Sequence, residues 1–307
     1  MVLGLSRSRV LMGGLLALSA AAYVGARIRA AERHARIARG EIEELGAVRT
    51  IVDGRCWYAR VGAGRSSGEY LPVVLVHGFG ISSAYFVPTA ERLAGRFDVY
   101  APDLPGHGRS DDPARPLDVT DLADALRAWM LVMRIDRASL VANSMGCQTA
   151  VELAVRYPDV VDRLVLIGPT LDHEARAMPR LLLRFAAGAL HERVSMTPLL
   201  VRDYLRMRGR LADELRFTMQ DRIEDKLPRV AVPVLLMRGE HDHIAPQRWV
   251  DELAARTPDA RVAVVPGGGH AVHYSAPDRV VSSVLPFLEE ARVARPAGIA
   301  KARFAGA

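Results

Sequence analysis

The sequence predicts an α/β protein: a mostly parallel central sheet flanked by helices, with a helical cap inserted between two of its strands. Three observations carry that expectation. Beyond residue 45, short apolar runs alternate with helix-length amphipathic stretches, the pattern of strands connected through helices. Several of the runs are apolar at every position, as a strand covered on both faces must be. One stretch, residues 171–230, breaks the alternation: it is helical in composition and holds no strand-like run.

Taken in order, Arg49–Val52 and Arg55–Val61 are joined by Asp53-Gly54, whose tolerance of positive φ suits a tight hairpin turn. Val73–Val76, Val99–Ala101 and Ser139–Ala142 then read as buried strands, as do Leu164–Ile167, Val234–Met237 and Val262–Val265. Before Ser139, the residues Leu122, Ala125, Leu126, Trp129, Met130 and Met133 fall at helical spacing and make one core-facing stripe. The insertion carries apolar Leu181–Leu183 and Leu199–Val201 together with many arginines. It lies where a cap over the sheet's carboxyl edge would sit. The tail over 292–307 holds Arg292, Arg295, Lys301 and Arg303 with no acid, and Pro296-Ala297-Gly298 should end any helix. The expected organisation is an N-terminal segment (1–45), a core in two parts (46–170 and 231–291), the cap (171–230) and a loosely ordered basic tail.

Composition bounds the function. The 307 residues are half apolar and one quarter charged, with a mean hydropathy of +0.08. Disordered, collagen-like and multispan membrane classes are excluded for the chain as a whole. The net charge of +6 is unevenly placed: Arg7, Arg9, Arg27, Arg29, Arg33, Arg36 and Arg39 face only Glu32 within residues 1–40, and the remainder is neutral. A nucleic-acid binder needs its positive charge on the folded surface that meets phosphate. No nucleic-acid partner is expected. Two cysteines, Cys56 and Cys147, make neither a disulfide scaffold nor a zinc site.

Val10–Ala26 is a run of seventeen residues without a charge, between Arg7/Arg9 and Arg27/Arg29. As a helix it would span about 25 Å, and snorkelling arginines would cover the small shortfall against a bilayer. A membrane anchor is the expectation. A secretory signal cleaved after Val24-Gly25-Ala26 is the alternative, with a buried amphipathic helix as a third reading. The basic groups on the two sides nearly balance, so the side of the membrane stays open.

The chemistry concentrates at strand ends. Ser139-Leu140-Val141-Ala142-Asn143-Ser144-Met145-Gly146 is a strand running into a helix with a serine at the corner. Such a corner holds its central residue in strained geometry, lifts the side chain clear of the sheet and needs small neighbours, which Ala142 and Gly146 supply. The helix beginning at Met145 favours negative charge at the serine oxygen. Ser144 as a simple helix cap is the competing reading. Val73–Val76 leads into His77-Gly78-Phe79-Gly80, a bend whose N–H groups could face a cleft; His77 itself reads as a structural turn residue. Val262–Val265 is followed by Pro266-Gly267-Gly268-Gly269-His270, a histidine on a glycine loop that suits a general base. The acid that orients it should also come after a strand. Asp242, in Gly239-Glu240-His241-Asp242, is the first candidate, with Asp172 and Glu240 as rivals.

These motifs, with Asp103-Leu104-Pro105-Gly106-His107-Gly108-Arg109-Ser110 between them, resemble the α/β-hydrolase fold superfamily over residues 47–290. Ala142 stands in place of the first glycine of that superfamily's G-x-S-x-G, and Cys147 where many members have a second glycine. The resemblance implies a serine hydrolase in which Ser144 is the nucleophile, His270 the base and Asp242 its orienting acid, with the backbone N–H groups of Phe79 and Met145 as oxyanion hole. It implies no metal and no organic cofactor. Serine at the elbow, where aspartate would be needed, argues against epoxide hydrolase and dehalogenase chemistry. The expected substrate is a small-molecule carboxylic ester, lipophilic or lipid, as in the similar membrane-anchored monoacylglycerol-lipase-like members. A carbon–carbon hydrolase of ring-cleavage products and a non-catalytic binding protein on the same fold are the alternatives.

Overall fold

The apolar runs and the hairpin all enter one eight-stranded sheet. In this computed structural model, which describes residues 24, 25, 27, 28, 30–65 and 68–291, β1 (Gly46–Val52) and β2 (Arg55–Gly62) are antiparallel. Between them Asp53 and Gly54 take the positive φ values of 49° and 76° that their turn requires. The later strands are β3 (Val73–Val76), β4 (Val99–Pro102), β5 (Ala138–Asn143), β6 (Val161–Ile167), β7 (Val234–Gly239) and β8 (Ala260–Val265). The order across the sheet is β1-β2-β4-β3-β5-β6-β7-β8. β2 meets β4 antiparallel, and every pairing from β4 to β8 is parallel.

Helices α1 (residues 30–38), α2 (Val87–Leu93), α3 (Val119–Val132) and α4 (Met145–Arg156) precede the insertion. The insertion is built from α5 (Met178–Ala189), α6 (Thr197–Met207), α7 (Leu211–Gln220) and α8 (Ile223–Lys226). After it come α9 (Gln247–Arg256), α10 (Val272–Ser275) and α11 (Pro277–Glu289). Because side chains alternate across a strand, each apolar run supplies both faces of the sheet. Val74, Val76, Leu140 and Leu164 pack with Leu126 and Trp129 of α3, Val151 of α4 and Trp249 of α9. Their chain neighbours Val73, Leu75, Val141 and Val165 pack on the other face with Phe86, Leu93 of α2 and Val284 and Leu288 of α11. The result is three layers, helix on sheet on helix.

Two sequence expectations need adjustment. Of the stripe on α3, Leu122, Leu126, Trp129 and Met130 are buried, with Trp129 stacked 6.1 Å from Trp57, whereas Ala125 and Met133 are only half-buried. The run Val262–Val265 is not an interior strand: β8 is the sheet's edge, and Val262 and Val264 are each 42% exposed. An apolar run reads alike in an interior and in an edge strand, because local sequence does not say how many neighbours a strand has.

The anchor candidate Val10–Ala26 lies outside the described residues except for Val24 and Gly25, and the tail 292–307 lies wholly outside them. Among the described residues no helix is long and apolar enough to cross a membrane. The segment C-terminal to the candidate is docked on the body. Arg33 of α1 pairs with the buried carboxylate of Glu91, and Arg36 reaches Asp278 at 3.1 Å, a residue that Arg92 also holds at 2.6 Å. Ile42 is buried as well. Part of the terminal positive charge is thus engaged by acids of the body.

The insertion between β6 and β7 has a small core of its own, Leu171, Ala175 and Leu181 with Leu215 and Met219. It is tied to the body by polar bonds. Ser82 Oγ donates to Asp203 Oδ2 (2.7 Å), Arg210 Nη2 to the Gly106 carbonyl (2.6 Å), and Lys226 Nζ meets Glu152 at 2.7 Å. Leu182, Leu183, Leu190 and Leu205 of the insertion remain exposed.

Candidate active site

In an open parallel sheet, loops at the carboxyl ends of strands gather on one edge, and that edge is where ligands bind. Here the loops after β3, β5, β7 and β8 bring Phe79, Ser144, Ile244 and His270 to one cavity of about 300 Å³, roofed by α5 and α6. Its walls are mainly apolar, with Ile81, Phe185, Met196 and Leu200 among the lining residues.

Ser144 is the corner residue between β5 and α4, at φ 57° and ψ −126°. A non-glycine residue held there costs about 1–3 kcal/mol and persists only when its surroundings over-determine it. They do so on both sides. A Cβ on Gly146 would stand 2.3 Å from the Val76 carbonyl oxygen, and one on Gly78 would stand 3.0 Å from the Ser144 Cβ. The Ser144 side chain makes no helix-capping bond, so the simple capping reading does not describe it. Its environment is a cavity wall beside a helix N-terminus.

His270 closes the glycine loop after β8. Its Nδ1 lies 2.9 Å from Asp242 Oδ2. The other oxygen of Asp242 accepts from the Ile244 and Ala245 N–H groups, each at 2.9 Å, so the carboxylate is fixed at both ends. Burial alone would lower the His270 pKa; the charge and hydrogen bond of Asp242 outweigh it, Glu192 adds to them, and the pKa rises above the ordinary histidine value. The rival acids are engaged elsewhere. Asp172 is held by Arg184 (2.6 Å) and Arg248 (2.5 Å), and Glu240 accepts from the Gly267 N–H at 2.8 Å.

Phe79 lines the cavity, and Met145 is the first residue of α4, with its side chain buried. The loop that carries Phe79 is set by His77 and Tyr85. The buried His77 accepts the Leu104 N–H at Nε2 (2.9 Å), and burial together with nearby His107 pushes its pKa down to about 3. It is a neutral structural residue. The Gly78 N–H donates to the Tyr85 hydroxyl (2.6 Å), which in turn donates to Asn143 Oδ1 (3.0 Å). Asp103, from the second glycine-rich motif, accepts from the Ser83 and Arg109 N–H groups, 2.8 Å each, and so binds that motif to the Phe79 loop.

Four residues of this constellation escape sequence reading. Tyr85 joins the Phe79 loop to the residue before Ser144 through its hydroxyl. Gly168, at φ 56°, leaves the space that a Cβ would take only 2.8 Å from both Asp242 Oδ2 and His270 Nδ1. Arg238 Nη2 donates to the carbonyls of Glu240 (3.1 Å) and Asp242 (2.9 Å), shaping the turn that presents the acid. Glu192, from the insertion, accepts the Ala271 N–H at 2.9 Å. Only Gly168 left a signal, a glycine directly after a buried strand; Tyr85 and Glu192 act through contacts distant in sequence, and Arg238 through backbone carbonyls of its own turn, which no side-chain pattern marks. Among the described residues no group of three or more His, Cys, Asp or Glu is arranged to hold a metal ion.

Comparison with known proteins agrees with this architecture. The model of the alpha/beta hydrolase family matches residues 73–283. The chain belongs to the alpha/beta hydrolase family and is a hydrolase. Among curated proteins it is similar to 2-(acetamidomethylene)succinate hydrolase of Mesorhizobium japonicum, 29% identical over 73% of this chain and 90% of that protein. It is also similar to pimeloyl-[acyl-carrier protein] methyl ester esterase of Xanthomonas campestris, 28% identical over 70% of this chain and 94% of the esterase. Among solved structures, a bacterial membrane phospholipase A superposes with a TM-score of 0.70 at 23% identity, over 92% of this chain and 99% of its own. An enol-lactonase from Burkholderia xenovorans does so with 0.62 at 23% identity, over 78% and 99%. These superpositions speak to the fold.

Proposed function

We propose that the chain is a serine hydrolase that cleaves a carboxylic ester of a lipophilic or lipid molecule through an acyl-enzyme. The observation that carries this reading is the placement of Ser144, on its strained corner, in one cavity with a histidine whose Nδ1 is held 2.9 Å from a buried carboxylate. In the proposed reaction Ser144 Oγ attacks the carbonyl carbon while its proton passes to His270 Nε2. Asp242 keeps the imidazole in the tautomer that leaves Nε2 free and stabilises the imidazolium. The negative oxygen of the tetrahedral intermediate is held by the N–H groups of Phe79 and Met145, where each donor contributes about 3 kcal/mol to kcat. Collapse expels the alcohol with the proton from His270. A water then gives its proton to His270, attacks the acyl carbon and releases the acid, returning the proton to Ser144. No metal or organic cofactor takes part.

The apolar lining and the exposed leucines of the cap, residues 171–230, support a lipophilic substrate, and the esterase name among the relatives supports an ester. Fluorophosphonate labelling with peptide mapping tests the reading: the adduct is expected on Ser144, with turnover of p-nitrophenyl butyrate and of lipid esters. A labelled Ser144 in a protein that cleaves only a ring-cleavage dienol would move the reaction to carbon–carbon hydrolysis. Failure of both labelling and turnover would leave a binding protein.

The uncharged run Val10–Ala26 supports attachment to a membrane by a single N-terminal span, with secretion after cleavage as the other outcome. A truncation beginning at Arg27 keeps Arg33 on Glu91 and Arg36 on Asp278. It is expected to be soluble and active on a water-soluble ester, whereas the full chain sediments with membranes and resists carbonate extraction, since burial and not charge alone holds an inserted helix. A mature N-terminus at Arg27 would instead indicate export, and full-length protein found only in the soluble fraction would defeat both.

A further inference from the structure

Glu192 lies just beyond α5, at the cap end that overhangs the His270 loop, and its side chain lines the cavity. Its two oxygens are unequal. Oε1 accepts the Ala271 N–H at 2.9 Å and lies so close to the chain that a Cβ on Gly269 would stand 2.6 Å from it. Oε2 is buried and has no hydrogen-bond partner. A buried carboxylate oxygen without a donor is destabilising, the more so if charged, and that cost falls when a donor arrives. Burial, with the nearby charge of Asp242, holds the Glu192 pKa above the ordinary carboxylate value, against the opposing pull of the Ala271 N–H and His270. The proposed acyl-enzyme reaction gives this oxygen no task.

We propose that Glu192 is a specificity-determining residue whose Oε2 accepts a hydrogen bond from the substrate, so that the enzyme favours esters bearing a hydroxyl, amide N–H or ammonium group near the scissile bond. The inference rests on the serine-hydrolase reading of the same cavity. A site built around a buried acceptor discriminates strongly against an analogue that lacks the donor, because the acceptor is then left unpaired.

The test uses full-length protein and two esters that differ only in the donor, 2-hydroxyethyl butyrate and 2-methoxyethyl butyrate. Wild type is expected to prefer the hydroxyl ester by about tenfold or more in kcat/KM. In Glu192→Gln the amide oxygen keeps the Ala271 bond and the amide nitrogen replaces Oε2. That nitrogen donates equally well to a hydroxyl and to an ether oxygen, so the preference is expected to fall to near unity. Glu192→Ala, which removes the acceptor, should give the same collapse. Fluorophosphonate labelling of Ser144 in each variant reports that the site is folded, and the ratio of the two esters reports selectivity, which a merely structural role would leave unmoved. A wild-type ratio near one, or a ratio preserved in both variants, overturns the role of Glu192 and leaves the serine-hydrolase reading intact. No labelling and no turnover of any ester in wild type overturns that reading, and this proposal with it.

Discussion

Ser144→Ala is expected to abolish ester hydrolysis, by ~10⁴-fold or more in kcat, with the fold intact. Alanine fits the corner: the backbone keeps its Cβ, the contact with Gly78 is unchanged, and no capping bond is lost because the serine makes none. What disappears is the oxygen proposed to form the acyl-enzyme. Circular dichroism and thermal melting should match wild type while p-nitrophenyl butyrate turnover is gone. Turnover within a few-fold of wild type would remove Ser144 from the mechanism.

The second large effect is expected at the acid. Asp242→Asn should lower kcat by about 10⁴-fold, since an amide at this position favours the wrong histidine tautomer. It should also move the pH profile. The proposed base works only when neutral, so activity is expected to be lost as pH falls through the His270 pKa, which Asp242 holds above the ordinary histidine value. The acid limb of kcat/KM in wild type is therefore expected above that value, and the variant's limb below the wild type's. Asp172→Asn is the contrast. Its carboxylate serves Arg184 and Arg248 and not His270, so the change should lower the melting temperature and leave kcat and the acid limb in place. A large kcat loss in Asp172→Asn with a normal Asp242→Asn would transfer the acid's role to the strand before the cap.

The fold was legible in the sequence where its physics is local. A parallel strand covered on both faces must be apolar throughout, and Val73–Val76 or Leu164–Ile167 can be read as little else. The candidate positions Ser144 and Asp242 follow such strands, β5 and β7, whereas His270 follows the edge strand β8, and each of the three lies near a glycine, Gly146, Gly239 and Gly269. The edge position of β8 was not legible, because Val262 and Val264 carry no mark of a missing neighbour. Arg33 and Arg36 looked like charge flanking a membrane span, yet their partners Glu91 and Asp278 lie far along the chain. Tyr85 and Glu192 share that difficulty: one sits in a short turn helix, the other in an arginine-rich insertion without motif, and only tertiary contact gives them their tasks. Arg238 differs, since the carbonyls it holds are two and four residues on, but a strand arginine carries no mark of binding its own turn.

The bond between Glu192 and the Ala271 N–H crosses from the cap to the residue next to the imidazole of the proposed base. The loop of that base is also tied to the body by the Gly267 N–H on Glu240 (2.8 Å), the His241 N–H on the Gly268 carbonyl (2.8 Å) and Asn143 Nδ2 on the His270 carbonyl (3.2 Å). Glu192 thus belongs at once to the wall of the cavity and to the support of the loop that carries His270.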